Sequence, residues 1–431
     1  MNVAILILVV SFILLLIMNV PISFCIGFAT LFSLLALGIP AIDVIAPRMA
    51  TGIDSFALLA IPFFILMGLL MGKGGMAKSL IDFAESLVGW LPGGLAFVNV
   101  LACMFMGAIS GSSIAAVCSI GGVMIPQMNR KGYDKNFNIA LTCCAATTGL
   151  LIPPSNVMIV YAVVAGSVSI AALFLAGIIP GIIVGLFLMA VSAVTSIRKG
   201  YGGGKWVGMK ETVIRFIHAV PGLALVFFVL WGIISGKFTP TEAASIAVLW
   251  AFVFSFIIFR EIKLKELPGI LVQCGVTTAV VMLLIGVSTG MSWLMASQNI
   301  PQMISQGIMS ISSNKIAILL MINILLLFIG TFLDMTPAIL IFGAIFIPIA
   351  IDLNINLIHF GIIMITNLCI GLCTPPVGTV LFVGVGIGNG KIAEVFKSLL
   401  PMFAVMIIAL MLITYIPQLS LFLPRFFSLM K

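Results

Sequence analysis

The stretch GLLIPPSN at residues 149–156 decides how this chain folds, together with a second stretch, GLCTPPVGT, at residues 371–379. Each contains a Pro-Pro pair beside a long apolar run, and the sequence holds no other such pair. Proline removes a backbone donor and its ring clashes with the preceding helical turn, so two in succession unwind a helix. Each stretch therefore predicts a helix that is broken in its middle.

The two breaks belong to an internal repeat in which position 153 corresponds to position 375. An Ile-Pro precedes each Pro-Pro pair at the same distance, and its proline is Pro126 in the first case and Pro348 in the second. Four glycine pairs share the same offset: Gly68 with Gly290, Gly121 with Gly343, Gly149 with Gly371 and Gly166 with Gly388. The repeat predicts two related halves, residues 1–205 and residues 206–431.

Composition excludes a soluble protein. Of 431 residues, 62% are hydrophobic and 7% are charged, whereas about a quarter of the residues of a soluble domain are charged. The apolar residues form runs long enough for helices to cross the hydrocarbon of a lipid bilayer. The first run, residues 3–19, is predicted to be a retained membrane helix. A signal peptide would begin with basic residues, but no Lys or Arg precedes Arg48. The net charge is +8, and the basic residues that produce it lie in short loops between the predicted spans. This is the distribution expected of cytoplasmic loops of a membrane protein, and it argues against a nucleic-acid partner.

The first half also contains one segment that the apolar pattern alone does not resolve. Spans are predicted near residues 3–19, 22–42, 55–72, 137–172 and 173–197. Residues 74–92 carry Lys78, Asp82 and Glu85 and predict an amphipathic helix on the membrane surface. Residues 93–128 are too long for one comfortable span and are interrupted at residues 110–113, so they form either one crossing or a re-entrant hairpin of two half-helices.

The distribution of basic residues decides between these alternatives. With a hairpin, each half makes five crossings, the second half is inverted, and both termini lie outside the cytoplasm. The cytoplasmic loops then collect 15 basic residues: Lys73, Lys78, Arg130, Lys131, Lys135, Arg198, Lys199, Lys205, Lys210, Arg215, Arg260, Lys263, Lys265, Lys391 and Lys397. Five lie outside: Arg48, Lys237, Lys315, Arg425 and Lys431. A single crossing would place the basic loops after residues 128 and 197 outside, so the hairpin is favoured.

The predicted fold class is therefore an all-α integral membrane protein with two inverted-topology repeats. The first repeat carries a hairpin at 93–128 and a broken helix at 137–172, and the second carries a hairpin at 315–351 and a broken helix at 359–388. Inverted repeats with discontinuous helices mark the binding site of a secondary transporter. No Walker Gly-Lys-Ser/Thr motif occurs, so an ion gradient is the simplest energy source.

The residues around the breaks and hairpin tips are small and rich in oxygen. Carbonyls freed by a helix break need a partner at membrane depth, and a bound cation supplies one. Oxygen ligands suit a hard cation such as sodium. The breaks offer Ser155, Asn156, Thr374, Gly378 and Thr379, and the tips offer Ser110, Ser112, Ser113, Asp334 and Thr336, with Thr331 nearby.

Asp334 is the only carboxylate that this topology places deep in a hairpin. Intramembrane ionisable residues are functional candidates, so a ligand-related role is one interpretation. The other is an N-cap for the helix that opens near Pro337. Capping and construction of an ion site are compatible, and the sequence leaves both open.

Several further features have structural explanations. Thr239-Pro240-Thr241-Glu242 predicts a capping box, and His218 and His359 stand alone at predicted span edges without further metal ligands. The glycines at 384, 386, 388 and 390 indicate close helix packing, because the strand of a nucleotide loop is missing. The cysteines are predicted to be reduced packing residues without CxxC pairs: Cys25, Cys103, Cys118, Cys143, Cys144, Cys274, Cys369 and Cys373.

Four of these motifs together resemble a known family, the large membrane subunits of tripartite ATP-independent periplasmic (TRAP) transporters. They are GAISGSSIAA at 107–116, GLLIPPSN at 149–156, FLDMTPA at 332–338 and GLCTPPVGT at 371–379. The similarity runs essentially end to end. It implies an elevator-type carrier in the bacterial inner membrane that uses sodium as coupling ion, without an organic cofactor, to import an organic acid. It also implies two partners, a periplasmic substrate-binding protein and a separate small four-helix membrane subunit.

The resemblance also implies two sodium sites and a class of substrate. One site would use Ser110, Ser112, Ser113, Gly149 and Asn156, and the other would use Asp334, Thr336, Gly371, Thr374 and Thr379. Family substrates include C4-dicarboxylates, keto acids and sialic acid, and no span-embedded Arg in this sequence selects one. Ser155 and Gly378, at the starts of the second half-helices, are expected to help bind the carboxylate.

Three other functions remain to be distinguished from this one. A self-sufficient sodium/anion symporter of similar architecture would need neither partner, and a passive channel would not accumulate substrate. A membrane-embedded enzyme is disfavoured, because paired catalytic carboxylates, a Ser-His arrangement and a metal-ligand cluster are absent from the predicted spans.

Overall fold

The protein is an all-α integral membrane protein. The computed structural model describes residues 3–73, 75–260, 262–312 and 314–430, and it contains no strand in those ranges. Lys431, which the charge count places outside the cytoplasm, falls beyond the described residues, as do the first two residues of the chain.

The described residues of the first half form eleven α-helices. They are α1 (Val3–Ile17), α2 (Ile22–Ala36), α3 (Ala41–Ile53), α4 (Ala60–Lys73), α5 (Met76–Val88), α6 (Gly94–Ser110), α7 (Ser113–Ala116), α8 (Gly122–Arg130), α9 (Lys135–Thr148), α10 (Asn156–Ala165) and α11 (Ile170–Lys199). A 3-10 turn, Phe56–Leu59, precedes α4, and a π-helical turn, Val117–Gly121, joins α7 to α8.

The second half contains ten α-helices in the described ranges. They are α12 (Met209–Ile234), α13 (Pro240–Phe252), α14 (Leu267–Ser297), α15 (Ile300–Ile311), α16 (Lys315–Gly330), α17 (Met335–Asp352), α18 (Leu357–Gly371), α19 (Thr379–Ile387), α20 (Ile392–Tyr415) and α21 (Gln418–Phe426). Thr239 and Glu242 form the predicted capping box at the start of α13, which confirms the structural interpretation of Glu242.

Six helical segments of the described chain are long and apolar enough to cross a membrane. They are Ile170–Lys199, Met209–Ile234, Pro240–Ile258, Leu264–Ser297, Met335–Asp352 and Ile392–Tyr415. A bent pair, Asp43–Ile53 and Phe56–Gly72, makes a seventh candidate. The second arm of the predicted hairpin 315–351 passes this test of length, so its re-entrant course stays a prediction.

Helix boundaries follow the sequence repeat through the centre of both halves. The segment from α7 to α8 occupies residues 113–130, and α17 occupies residues 335–352. The first broken helix begins at Lys135 and the second at Leu357, and the long helices that follow begin at Ile170 and Ile392. Two breaks of equal placement separate α9 from α10 and α18 from α19.

The two halves differ where they approach these central helices. The predicted helix at 55–72 is present as the segment Phe56–Gly72, but the sequence did not predict α3 before it. The two helical segments form a pair bent by 62°, while the corresponding part of the second half is one continuous segment, Leu264–Ser297. The first broken helix also ends at Ala165 instead of residue 172. Gly166 turns the chain there, and the Ser169 hydroxyl caps α11 by accepting from the Ala172 amide at 3.4 Å.

Two short amphipathic helices flank the hairpins. The predicted surface arm at 74–92 is α5, whose apolar face packs on α6 and α12. Arg215 of α12 fixes its polar face by donating to Glu85 at 2.9 Å, and it also pairs with Glu211 at 3.1 Å. The second half has an equivalent arm, α15, which the sequence reading did not predict because it carries no charged residue from 300 to 311.

The two halves exchange their second half-helices at the centre of the molecule. Helix α10 packs on α17 and α18 of the second half, and α19 packs on α9 and the π-helical turn of the first half. Thr147 and Cys369, which are equivalent positions of the repeat, touch each other, with the Cys369 thiol 3.3 Å from the Thr147 carbonyl. The local axis that relates the halves therefore passes between the two broken helices.

Candidate functional site

The first hairpin tip is a tight turn built from serine and glycine. Helix α6 ends at Ser110, whose hydroxyl donates to the Ser112 carbonyl at 3.1 Å. Gly111 has a φ of 60°, in the left-handed region that favours glycine. Ser112 then caps the next helical turn, because its hydroxyl accepts from the Ala115 amide at 3.3 Å.

This tip lies against the first helix break. A Cβ placed on Gly111 would be 3.1 Å from the Pro154 carbonyl and 3.6 Å from the Asn156 amide nitrogen. Ser155 is fully buried in the break. The Ser155 hydroxyl and the Asn156 carbonyl oxygen Oδ1 are buried without a hydrogen-bond partner in the described chain. A buried polar atom without a partner costs stability, so both atoms favour a ligand at this position.

The second tip meets the second break through hydrogen bonds. The Val377 amide donates to the Thr331 carbonyl at 3.2 Å, and the Thr379 hydroxyl donates to Asp334 Oδ1 at 3.4 Å. Asp334 occupies the N-cap position of α17, but its side chain makes no capping hydrogen bond. The capping interpretation is therefore supported only by the position of Asp334 at the start of α17. Its carboxylate contacts Thr379 of the second break instead.

Glycines bring each hairpin and its break into backbone contact. A Cβ on Gly107 of the first hairpin would be 2.5 Å from the Gly149 Cα, and a Cβ on Gly371 would be 2.5 Å from the Gly330 Cα of the second hairpin. No real Cβ tolerates such a distance. In the second break, Gly378 has a φ of 43°, and a Cβ there would be 2.9 Å from the Thr374 carbonyl.

Both tips open onto one cavity of about 600 Å³, a volume typical of small-molecule sites. Helices α4 and α14 form part of its wall, through Ile61, Ile65, Leu69 and through Gln273, Thr277, Val281. The hairpins, the first break with α10, and Leu372 of the second break supply the rest, including Ser110, Ser112, Ser113, Asn156, Asp334 and Thr336. Among the described residues that line the cavity, Asp334 is the one charged residue and none is Lys or Arg.

Comparison with known proteins shows the family. Residues 9–419 match the model of the tripartite ATP-independent periplasmic transporter, DctM component. The chain belongs to this family. The resemblance to TRAP large subunits, which rested on the four motifs at the tips and breaks, is therefore confirmed.

Individual relatives cover almost the whole chain. YgiK of Salmonella typhimurium is 49% identical over 97% of this chain and 96% of its own length. The isethionate TRAP transporter permease protein DctMQ of Oleidesulfovibrio alaskensis is 41% identical over 95% of this chain, which spans 65% of that relative. The C4-dicarboxylate TRAP transporter large permease protein DctM of Pseudomonas aeruginosa is 40% identical, covering 87% of this chain and 88% of that one.

A solved structure shares the fold at low identity. The crystal structure of the Alcanivorax borkumensis YdaH transporter aligns with a TM-score of 0.61 at 14% identity, over 85% of this chain and 86% of that one. This TRAP subunit thus shares its fold with that protein.

The predicted site residues of this TRAP subunit fall into two groups. Six line the cavity: Ser110, Ser112, Ser113, Asn156, Asp334 and Thr336. The others are absent from the lining, and they are Gly149, Ser155, Gly371, Thr374, Gly378 and Thr379. Gly149 and Gly371 lie in the backbone contacts described above, and the Thr374 hydroxyl donates to the Ile370 carbonyl in the last turn of α18 at 2.8 Å.

Buried amides tie each hairpin to its broken helix. Asn99 of α6 donates to the Thr142 hydroxyl of α9 at 2.7 Å. In the second half, Asn367 of α18 donates to Asn323 of α16 at 2.7 Å, and Asn323 donates to the Thr414 hydroxyl at 3.0 Å. These bonds join the helices that carry the hairpin tips to the broken helices. Sequence reasoning missed these residues, because in the sequence they look like any other polar residue in an apolar helix.

His359 corrects an expectation. The sequence placed it at a membrane interface, but its side chain is 3% exposed. Its Nδ1 lies 2.7 Å from the Ser420 hydroxyl, and its Nε2 lies 3.2 Å from the Thr414 carbonyl. The prediction was wrong because α20 and α21 fold over the start of α18, which a reading of single spans does not reveal.

The glycine run at the end of α19 serves helix packing, as predicted. A Cβ on Gly390 would be 2.8 Å from Ile139, and Gly384 and Gly388 would also collide with α9, whereas Gly386 meets open space. Seven cysteines are buried free thiols, and Cys118 is exposed beside the cavity. Among the described residues, no group of three or more His, Cys, Asp or Glu side chains could hold a metal ion.

The two broken helices begin with related caps outside the membrane core. Asp134 Oδ1 accepts from the Phe137 amide at 2.9 Å, and Asn356, the equivalent position of the second repeat, accepts from the Ile358 amide at 2.9 Å. Lys199 also pairs with Asp134 at 3.1 Å. Burial raises the pKa of Asp134, but hydrogen bonds from Phe137 and Lys199 outweigh it and leave the pKa below its ordinary value of 3.8.

Proposed function

We propose that this TRAP subunit carries out sodium-coupled import of an organic acid that a periplasmic binding protein delivers. The substrate would resemble a C4-dicarboxylate, a keto acid or sialic acid. One observation carries the proposal: both hairpin tips and the first helix break bring oxygen atoms to one cavity, and two buried oxygens of that break, on Ser155 and Asn156, have no hydrogen-bond partner among the described residues. Hard cations of the size of sodium prefer such oxygen ligands.

The first break and the second hairpin tip fit a monovalent cation in different ways. The Ser155 hydroxyl and Asn156 Oδ1 are neutral acceptors that have no partner in the described part of the chain, so a sodium ion near the first break would satisfy them. In the second tip, Asp334 supplies a negative charge that a cation would neutralise. Loading of the second site would therefore change the charge of the cavity from negative to neutral.

The same cavity suits an acid once sodium is bound. The starts of α7, α10 and α17 lie at the cavity lining through Ser113, Asn156 and Met335. They could attract an anion once a cation has neutralised the charge of Asp334. The positive end of a helix dipole attracts an anion. Sodium would thus precede or accompany the carboxylate, because without it the Asp334 charge repels the substrate.

Helices α4 and α14 form the side of the cavity that does not carry a hairpin or a break. In an elevator mechanism, the hairpins and broken helices would move together against this wall with substrate and ions. The amide hydrogen bonds between hairpin arms and broken helices favour motion as one body. The small four-helix subunit would brace the stationary helices, with both termini of this chain on the periplasmic side of the bacterial inner membrane.

Reconstitution tests the proposal. Proteoliposomes that contain both membrane subunits and are supplied with the binding protein should accumulate radiolabelled acid only under an inward sodium gradient. Removal of the binding protein should abolish this uptake. Equal uptake with potassium in place of sodium would overturn the coupling, and equal uptake without binding protein would support a self-sufficient symporter.

A further inference from the structure

The segment between the two repeats holds the ends of three helices together. Tyr201, just after α11, donates its backbone amide to the Ser196 carbonyl at 2.9 Å, and its own carbonyl accepts from the Gly93 amide at 3.1 Å. The Tyr201 hydroxyl accepts from the Asp134 amide at 2.8 Å. Gly93 is the N-cap of α6 and Asp134 is the N-cap of α9. One residue therefore bridges the end of α11 and the starts of α6 and α9.

Further contacts support this bridge. The Tyr201 ring stacks on the Tyr133 ring, with 4.1 Å between their centroids, and such aromatic pairs stabilise a fold beyond the area that they bury. Three residues after Tyr201, the Gly204 amide donates to the Gly89 carbonyl at 2.9 Å, in the turn that precedes α6. The bridge is thus held by side-chain packing and by backbone hydrogen bonds.

The same three helices build the first half-site, which consists of the hairpin tip at 110–113 and the break at 149–156. Helix α6 ends at the tip and α9 ends just before the break. Helix α11 packs on the break, where a Cβ on Gly177 would collide with the Leu151 carbonyl. The 17 residues of α6 and the 14 residues of α9 place these ends about 25 Å and about 21 Å from the bridge. Rigid helices carry coupling over such distances, so the relative placement of their starts is transmitted to the tip and the break.

The first half-site depends on placement more than the second does. Its tip and break contain no charged residue, whereas Asp334 supplies a charge in the second. Attraction between opposite charges falls only gradually with distance, but a cation site must be held close to its productive geometry when it has neutral ligands alone. The repeat shows the same difference, because the position equivalent to Tyr201 in the second half is Leu423, which has no hydroxyl.

We propose that Tyr201 is a positioning residue for cation binding at the first half-site. It contacts neither the cation nor the substrate. It holds the starts of α6 and α9 in the register that brings the tip and the break to coordination distance. The inference rests on the proposed function, because it takes sodium as the ion that binds there. It adds a residue that controls sodium affinity from outside the cavity.

Sodium-dependent thermal stabilisation of the complex of both membrane subunits in nanodiscs tests this assignment. Melting temperatures are measured over a series of sodium concentrations, with potassium keeping the ionic strength constant. Tyr201→Phe keeps the ring but loses the acceptor for the Asp134 amide, so the half-saturating sodium concentration should rise about two- to tenfold, the effect of about one hydrogen bond. Tyr201→Leu also loses the ring stacking and should raise it further. A purely structural role predicts instead an equal fall of the melting temperature in both salts, with an unchanged half-saturating concentration.

A tyrosine of the second repeat provides the matched control. The Tyr415 hydroxyl donates to the Ile316 carbonyl of α16 at 3.2 Å, so Tyr415→Phe removes a similar bond and should leave the half-saturating concentration unchanged. In a Ser155→Ala background, Tyr201→Phe should cause no further rise, because substitutions that act through one site are not additive. An unchanged sodium response in Tyr201→Phe, an equal rise in Tyr415→Phe, or a full further rise in the Ser155→Ala background overturns the assignment alone. Absence of sodium-dependent stabilisation of the wild type overturns the proposed sodium coupling and the assignment together.

Discussion

The two half-sites share a backbone and differ in chemistry. Each pairs a hairpin tip with a Pro-Pro break across a glycine contact, through Gly107 and Gly149 in the first and Gly330 and Gly371 in the second. The first half-site offers only neutral oxygens, whereas the second contains Asp334, which accepts from Thr379 at 3.4 Å. The repeat thus preserves the geometry of a cation site while the charge is concentrated on one side.

The second arms of the hairpins show a related difference. The first contains the π-helical turn Val117–Gly121, and the second is a continuous helix from Met335 to Asp352. Single π turns are common at functional sites. Here the turn presents Cys118 and Ser119 to the cavity, and the Ser119 hydroxyl lies 3.5 Å from the Gly72 carbonyl of α4. Shared register therefore does not make the two hairpins equivalent in the cavity.

The largest effect is expected from Asp334→Asn, which removes the charge that distinguishes the second half-site. A hydrogen bond or ligand contact to a charged group contributes about 1.5–3 kcal/mol, so the half-saturating sodium concentration should rise about 10- to 100-fold or transport should cease. Sodium-dependent uptake in proteoliposomes measures this. Asp43→Asn, at an exposed position of α3, is the matched control, and near-wild-type sodium dependence of Asp334→Asn would return the residue to a capping role.

Substitutions at the glycine contacts test whether the two backbones are equally constrained. Gly149→Ala and Gly371→Ala should each destabilise the protein by about 1–3 kcal/mol or more, because a methyl group cannot fit between the backbones. Thermal unfolding of the purified protein measures the change. Gly386→Ala has open space around its Cβ and should be neutral or slightly stabilising. If only one of these two substitutions caused a large loss of stability, the two glycine contacts would not be equally constrained.

A smaller effect with a distinctive sign is expected from Ser155→Ala in the neutral half-site. Its hydroxyl is buried and has no partner among the residues that the structure describes, so its removal should raise stability without sodium by up to about 1 kcal/mol and reduce the stabilisation produced by sodium. Melting temperatures in sodium and in potassium measure both changes. Ser192→Ala, whose hydroxyl donates to the Leu188 carbonyl at 2.8 Å, should lose stability equally in both salts. The same pattern for Ser155→Ala would argue against a cation there.

The smallest effect concerns the caps of the two broken helices. Asp134 and Lys199 are 40% and 44% exposed, so Asp134→Asn should cost no more than about 1 kcal/mol at neutral pH. The pKa of Asp134 in the folded protein lies below 3.8, so its contribution is complete well above pH 3.8 and is lost as the pH falls through the folded value. Unfolding measured between pH 7 and pH 3 should show wild type and Asp134→Asn converging.

The corresponding change in the second half provides the comparison. Asn356 does not titrate, so the stability difference between wild type and Asn356→Ala should stay constant over the same pH range. Convergence of that pair at low pH would show that the pH effect arises elsewhere than in the cap.

Local chemistry allowed the centre of the fold to be predicted. The Pro-Pro pairs, the tip serines and Asp334 are breaks and turns that sequence rules describe, and the helix boundaries lie close to the predicted hairpins 93–128 and 315–351. Helix α3 was missed because Asp43, Pro47 and Arg48 interrupt its apolar pattern. Its presence depends on packing against α14, which no local pattern contains.

The candidate site was predictable in its oxygens and not in its walls. Ser110, Ser112, Asn156 and Asp334 are polar residues beside chain breaks, and all four reach the cavity. Gln273 lies within an uninterrupted span, where nothing in the sequence indicates which face meets a cavity. Gly149 and Gly371 could be predicted to lie at the breaks, but the backbone contact that requires glycine appears only when the hairpins are in place.

The exchange of α10 and α19 between the halves has a consequence for how this protein is made. Each half-helix rests on the other half of the chain, so a ribosome that has completed only residues 1–205 leaves α10 without the surface formed by α17 and α18. We therefore expect the first repeat to stay partly assembled in the bilayer until most of the second repeat has been inserted. If the two repeats are produced as separate fragments, they should be recovered as one complex when they are made together, and each should be degraded when it is made alone.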